Sequence, residues 1–362
     1  MKSIWIKFVT VCLFFAASSN LCEAQNTYSQ VYSILNSATC GSGNSSCHSS
    51  GATSNLDFSV TQSQLYTQLF YQSPTNAESA AKGDMLVLPG NPYRSFLFRK
   101  VNQGLATDVP LTGNEGDNMP TTSMLSENDR ELIRQWILYG APETGNVVDM
   151  SIVNDYYNNG GIESVTNPPS PPGLGEGFQL HLGPIFLPPL GESPEGGDYS
   201  RFDMNFPDTL EAIRVETYAG LGVHHTTLFV YNDVNGIPNV PYGVTGLVPE
   251  LMSMEILATY QFVPDFLDLP QGTAYELPQN SPLIFNSHYF NTSQSQVRKC
   301  DTYFNVYTQP ENTASQTLKF GAHEYVSYPG SGNPALYLPP DAQEYSFEEY
   351  IDEPGNTDYR YI

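Results

Sequence analysis

The run Pro282-Leu-Ile-Phe-Asn-Ser-His-Tyr-Phe290 has the composition of a β-strand, and four similar runs share residues 177–310 with it. Aromatic and β-branched residues, which favour strands, are frequent in these runs, and turn residues separate them at short intervals. The four other runs are Glu211–Tyr218, Thr226–Tyr231, Thr273–Leu277 and Asp301–Tyr307. The pattern predicts an antiparallel β-sandwich, of jelly-roll type, over residues 177–310.

Residues 26–145 have a helical pattern instead. Val31, Ile34 and Leu35 recur at the spacing of one helix face. The stretch 126–129, Ser-Glu-Asn-Asp, resembles a capping box and predicts the start of another helix, which would end near a glycine and a proline. These signals predict a small all-α domain ahead of the sandwich.

The remaining segments have the composition of connections. Residues 146–176 contain Asn-Pro-Pro-Ser-Pro-Pro-Gly at positions 167–173, which predicts a stiff linker between two domains. Residues 311–362 predict a short β extension and then an acidic tail, Glu-Glu-Tyr-Ile-Asp-Glu-Pro at 348–354.

The charge and the first residues predict an exported protein. The 362 residues carry a net charge of −24, which argues against binding to nucleic acid or to anionic membrane surfaces. Residues 1–24 combine a basic start, an apolar run and a small-residue cleavage site, and so predict a secretory signal peptide. That run is shorter than the roughly 20 residues of a membrane span, and no later segment is longer and apolar. We therefore expect no membrane span and a periplasmic or extracellular location.

A Cys-His pair suggests the first cofactor. The stretch 40–48 reads Cys-Gly-Ser-Gly-Asn-Ser-Ser-Cys-His, and c-type haem is held by two thiols and an axial histidine, often with a methionine sulfur opposite. Six residues separate Cys40 from Cys47, where two are usual, but the Gly/Ser-rich segment is flexible enough to loop out. Met119 lies in a predicted loop and is the expected axial sulfur, with Met85 and Met124 as competitors. The alternative is a Cys40–Cys47 disulfide in a haem-free domain.

Three further histidines suggest a metal site. His224 and His225 precede one predicted strand, and His288 lies in another. Because neighbouring side chains on a strand face opposite sides, the adjacent pair can bind one metal only where the strand is irregular. Three imidazoles with an open coordination position suit copper or zinc. In the alternative, these histidines occupy the core or a sheet edge and bind no metal.

Residues 30–143 resemble the class I cytochrome c domains of multidomain exported bacterial proteins. The resemblance rests on four pieces, which are Cys47-His48, Leu88–Arg99, Asn118–Pro120 and Leu132–Pro142. It implies a covalent haem c on Cys40 and Cys47, with His48 and Met119 as the axial ligands. The long spacing between the two cysteines departs from the family pattern.

Residues 177–310 resemble the N-terminal copper domain of the type II, ascorbate-dependent copper monooxygenases, a family that includes peptidylglycine α-hydroxylating monooxygenase and dopamine β-monooxygenase. The shared features are the His-His pair, a later strand ending in His-Tyr, a cysteine twelve residues after that histidine, and the stretch Pro270–Ser281. The resemblance implies that His224, His225 and His288 hold the electron-transferring copper. The family's second domain binds the oxygen-activating copper through His-x-His and Met. After residue 310 this chain has one histidine, His323, and no methionine.

These patterns together predict an exported redox protein in which haem c passes electrons to a type II copper site. The chemistry is expected to resemble that of a monooxygenase, without the second copper domain. The expected partners are a redox protein or a small reductant, and hydroxylation would need a second copper-bearing chain. The alternative is a non-catalytic copper-binding or interaction module with a haem-free, disulfide-bonded cytochrome-like domain. A zinc hydrolase is disfavoured because no general base lies near these histidines in sequence.

Overall fold

A computed structural model describes residues 26–37, 47–50, 56–121, 123–194, 197–231, 241–246, 254–261 and 265–318. Strands make up 32% of the structure and helices 21%. The helices are α1 (Thr27–Leu35), α2 (Gln62–Leu69), α3 (Ala77–Ala81), α4 (Phe96–Val101), α5 (Glu127–Leu138) and α6 (Met150–Asn159), with a 3-10 turn at Pro92–Arg94. The strands are β1 (Ile162–Glu163), β2 (Gly177–Leu187), β3 (Asp198–Phe202), β4 (Leu210–Ala219), β5 (Val223–Tyr231), β6 (Met254–Tyr260), β7 (Asp265–Asp268), β8 (Thr273–Leu277), β9 (Leu283–Tyr289), β10 (Arg298–Pro310) and β11 (Gln316–Leu318).

Side-chain caps set where several helices begin. Ser126 accepts a hydrogen bond from the Asp129 amide and caps α5, as its sequence predicts. Asn26 caps α1 in the same way, and Asp149 caps α6. Capping fixes the first turn of each helix, so the apolar faces of α1 and α5 are held in register with their neighbours.

The strands form two sheets. In the larger sheet the strand order is β1-β10-β4-β8-β11, with β2 also paired to β10 and β7 to β4. The smaller sheet has the order β3-β9-β5-β6, and its pairs are antiparallel. Two pairs in the larger sheet, β1 with β10 and β11 with β8, are parallel.

The apolar side chains form a helical core and a core between the sheets. Between the sheets, Leu180 and Phe304 of the larger sheet pack with Leu228 and Phe285 of the smaller one. The helical core contains Tyr28 and Trp136, and their stacked rings lie 5.1 Å apart. Burial of the apolar side chains in these two cores is the main stabilising contribution to the fold.

The predicted fold class, a small all-α domain followed by an antiparallel sandwich of jelly-roll type, is wrong. The structure is mainly β, with two sheets, and the described residues between 26 and 318 belong to one compact unit. Phe186 of β2 packs against the helical core, and Gln135 of α5 donates a hydrogen bond to the Pro184 carbonyl, 2.8 Å away. The segment 146–176 contains α6 and the strand β1. Local composition could not show these contacts, because β1 pairs with β10, which is far away in sequence.

None of the helices that the structure describes is both long and apolar enough to cross a membrane. This result agrees with the expectation of no membrane span.

Candidate metal centre

The three predicted ligands of the β region come together at one end of the smaller sheet. Strands β5 and β9 pair antiparallel, and His225 lies opposite His288 in their register. The register shifts between Val223 and His225. That irregularity is what an adjacent histidine pair needs to face one point, because a regular strand would turn His224 to the other side.

The geometry of the triad suits a metal ion. The Nδ1 atoms of His224 and His288 lie 3.3 Å apart, and one nitrogen from each of the three rings falls within 4.8 Å of the others. Tetrahedral coordination with bonds of about 2.0 Å places ligand nitrogens about 3.3 Å apart. His224 is exposed and the other two are half-buried, so the site is open to solvent on one side.

A carboxylate supports the triad from behind. Glu192 Oε1 lies 3.0 Å from Nε2 of His288, close enough for charge attraction though not aligned as a hydrogen bond. The backbone places it there, because Glu192 bridges Phe290 and the Ser193 amide donates to the Tyr289 carbonyl. Metal-binding histidines commonly direct their other nitrogen at such a carboxylate, which fixes the ring orientation. Nothing in the sequence around Glu192 signals this role.

Electrostatics favour a neutral imidazole at His225. Burial lowers the pKa of His225, and the neighbouring His288 and His224 lower it further, which outweighs a hydrogen bond to Asn286. A neutral imidazole offers the lone pair that a metal requires. Asp198 is a buried carboxyl near the site, and burial raises its pKa above the ordinary value.

The predicted haem ligands fall only partly within the described residues. Cys40 lies outside them, and Cys47 is exposed. His48 is half-buried, and its ring stacks on Phe58 with centroids 4.5 Å apart. Met119 is half-buried, and its amide donates a 2.6 Å hydrogen bond to the Lys100 carbonyl.

The surroundings of His48 disfavour its charged form. Burial lowers the pKa of His48 and Lys100 lowers it further, against a hydrogen bond to the Leu56 carbonyl. A neutral imidazole offers one nitrogen as a donor and the other as an acceptor. The neutral form is the one that an axial haem ligand needs. The chemistry of His48 fits haem, whereas no described contact joins it to Met119.

The structure contains a second polar group, centred on a single histidine, that the sequence patterns did not reveal. His181 is buried, with Asp301 Oδ1 2.8 Å from its Nε2 and Asp108 Oδ2 3.2 Å from its Nδ1. Its ring is sandwiched between Tyr93, at 4.0 Å, and Tyr303, at 3.9 Å. Burial alone would lower the pKa of His181, but the two carboxylates outweigh it and raise that pKa. Both nitrogens face carboxylates, which favours the charged form of the ring and leaves neither nitrogen for a metal.

No protein-family model matches the chain, and no curated protein is significantly similar to it. The resemblances to cytochromes c and to copper monooxygenases therefore stay predictions from the sequence.

Proposed function

We propose that the chain is a copper-binding redox protein whose metal site is the triad of His224, His225 and His288. The convergence of three imidazole nitrogens within 4.8 Å carries this proposal. A copper ion held by three imidazoles can exchange one electron between its two common oxidation states. Exposed His224 would give a redox partner or a small reductant access to the site.

The surroundings of the triad favour redox chemistry over hydrolysis. A zinc hydrolase needs a general base directed at a metal-bound water. Among the described residues, Glu192 is the carboxylate in ion-pair contact with the triad, and it faces Nε2 of His288 while Nδ1 faces His224. Glu192 therefore lies behind the ligand and orients it, and it is badly placed to deprotonate a water on the opposite side.

The electron donor we propose for this site is a haem c held by Cys40, Cys47 and His48, with Met119 as the sixth ligand. The lowered pKa of His48 supports this part of the proposal. When bound, haem supplies a one-electron centre. The chain's own contribution is then to favour neutral His48 through burial, which outweighs the opposing hydrogen bond to Leu56. Oxygen activation would need a second copper from another chain.

Copper loading of the purified protein, followed by elemental analysis and electron paramagnetic resonance, tests the copper site. We expect about one copper per chain, with splitting from three nitrogen ligands. His288→Ala and His225→Ala should each lose the bound copper. Copper content that is unchanged in both variants contradicts the site.

His48→Ala is the matched control, since it removes a histidine from the helical region. It should retain copper. When the chain is expressed with cytochrome maturation factors, this variant should lose the low-spin haem spectrum that the wild type and His288→Ala display. A wild-type protein that is colourless after denaturation contradicts the haem assignment and leaves the copper test independent.

A further inference from the structure

A cavity of about 560 Å³ lies between the helical region and strands β2 and β3, away from both proposed cofactor sites. Its volume falls within the range of small-molecule pockets, about 300–1,000 Å³. One wall comes from the segments around Lys82, Arg94 and Asp108, and the other from β2 and the segment after β3. The Tyr93–His181 stack forms part of the lining.

The helical wall concentrates positive charge. Lys82, Arg94 and Arg99 all line the cavity, in a chain that has only 14 lysines and arginines and a net charge of −24. Two of them have close acidic partners. Arg99 contacts Asp84 and Glu115, each at 2.5 Å, and Lys82 lies 3.2 Å from Glu115.

Arg94 is the cation left with capacity for a ligand. Its Nη2 donates to the Gly83 carbonyl, at 2.7 Å, and to the Lys82 carbonyl, at 3.2 Å. The nearest carboxylate oxygen in its described ion pairs, on Asp84, is 4.0 Å from its Nε. Backbone contacts therefore fix the guanidinium while its charge stays only weakly compensated, and its side chain is 27% exposed. Nη2 belongs to both edges by which a guanidinium can bind a carboxylate with two hydrogen bonds, and here it donates to two backbone carbonyls. Arg94 can therefore offer a ligand its charge and a single hydrogen bond from Nη1.

The strand wall is apolar. Phe178 and Leu180 of β2, Phe202 of β3 and Met204 line it. Phe178 and Met204 are partly buried and sit at the edge of the core between the sheets. Methionine and aromatic side chains adapt well to apolar ligands.

We propose that this cavity binds a small organic monocarboxylate with an aliphatic or aromatic body. The carboxylate would pair with the Arg94 guanidinium, and the apolar body would lie against Phe178 and Met204. A monoanion fits better than a phosphate dianion, because the carboxylates of Asp84 and Asp108 also line the cavity and repel a second negative charge.

Calorimetric titration of the purified chain with hexanoate, 1-hexanol and hexylamine tests the proposal. These three probes share one apolar body and differ in the charge of the head group. We expect hexanoate to bind at least about tenfold more tightly than hexanol, the contribution expected of a charged hydrogen-bonded pair. Hexylamine should bind no better than hexanol. Equal binding of hexanoate and hexanol, or no hexanoate binding up to about 10 mM, overturns the proposal.

Variants locate the binding. Arg94→Gln should bind hexanoate and hexanol equally, and Met204→Trp, which fills the cavity, should weaken both. Arg214→Gln is the control, because Arg214 pairs with Glu216 and Asp268 on the larger sheet and does not line the cavity. If Arg94→Gln does not fold, Arg94→Met also removes the charge, keeps a long side chain, and should bind hexanoate and hexanol equally. A preference that survives in whichever Arg94 variant folds overturns the assignment.

Discussion

His288 and His181 each lie within 3.0 Å of a carboxylate, yet their second nitrogens face different groups. His288 has Glu192 beside its Nε2 and another imidazole beside its Nδ1, so its second nitrogen is directed at the triad. His181 has a carboxylate beside both nitrogens and a tyrosine on both faces, so nothing on the ring remains for a metal. In the proposed copper site, the partner of the second nitrogen is therefore what separates a metal ligand from a histidine held between two carboxylates.

The largest difference between His181 and His288 should appear in protein stability when the His181 side chain is replaced. His181→Leu leaves the buried carboxylates of Asp108 and Asp301 without their shared counter-charge. Breaking a buried ion pair in this way lowers the free energy of unfolding by about 3–5 kcal/mol. Urea denaturation followed by circular dichroism measures this loss, while copper content per folded chain should stay unchanged.

A triple variant distinguishes lost charge from lost packing. Adding Asp108→Asn and Asp301→Asn to His181→Leu removes the unpaired charges and should recover a large part of the lost stability. A triple variant as unstable as the single one would mean that His181 contributes by packing between Tyr93 and Tyr303 and not as a cation.

The sequence could suggest the triad but not these two carboxylate arrangements. An adjacent His-His pair and a third histidine in a strand-like run are visible locally, and all five runs chosen as strands lie on strands in the structure. Glu192, Asp108 and Asp301 meet their histidines only through tertiary contacts. Their own neighbours in sequence carry no signal, because acidic residues are common throughout this chain.

The same reasoning explains the error in fold class. The sequence pattern of the helices was visible, and the start of α5 was predicted at its capping serine, Ser126. The contacts that join helices to strands are long-range, such as Phe186 in the helical core and the parallel pairing of β1 with β10. Periodicity reports which face of an element is apolar, but it does not report which distant element covers that face.

A smaller effect should come from the carboxylate behind the metal ligand. Glu192→Gln keeps the size of the side chain but removes the charge that orients His288. Substitution of such a supporting group weakens metal affinity by about 10–100-fold. Because Glu192 is 63% exposed, its ion pair adds little to folding, and stability should stay within about 0.5 kcal/mol. Competition with a chromophoric copper chelator measures the affinity.

Glu276→Gln is the matched control for that measurement, since Glu276 is exposed on β8 of the other sheet. It should leave copper affinity unchanged. If Glu192→Gln binds copper as tightly as this control, the carboxylate behind His288 is a surface ion pair without influence on the metal.

The smallest effects should appear in the pH dependence of the stability of metal-free protein. There, His181 and His225 should change the free energy of unfolding in opposite directions as the pH rises. The pKa of His181 is raised above its ordinary 6.5 by Asp108 and Asp301 despite burial. The folded state then holds that proton more tightly, so the stability from His181 is complete below pH 6.5 and is lost as the pH rises through the folded pKa. The pKa of His225 is lowered, first by burial. The folded state therefore disfavours protonated His225. The resulting loss of stability is absent above pH 6.5 and grows as the pH falls below that value.

The difference in unfolding free energy between wild type and each variant separates the contribution of that histidine from those of the other titrating groups. Unfolding free energies of wild type, His181→Leu and His225→Ala should be measured between about pH 5 and 8.5. The stability gap between wild type and His181→Leu should narrow as the pH rises above 6.5, whereas the gap for His225→Ala should change only below 6.5. Higher pH is avoided because burial raises the pKa of the Cys300 thiol from 9.0, which adds a slope of the same sign as His181. A His181→Leu gap that is constant from pH 6.5 to 8.5 would show that the ring is neutral in the folded state, and the distinction between structural cation and metal ligand would fail.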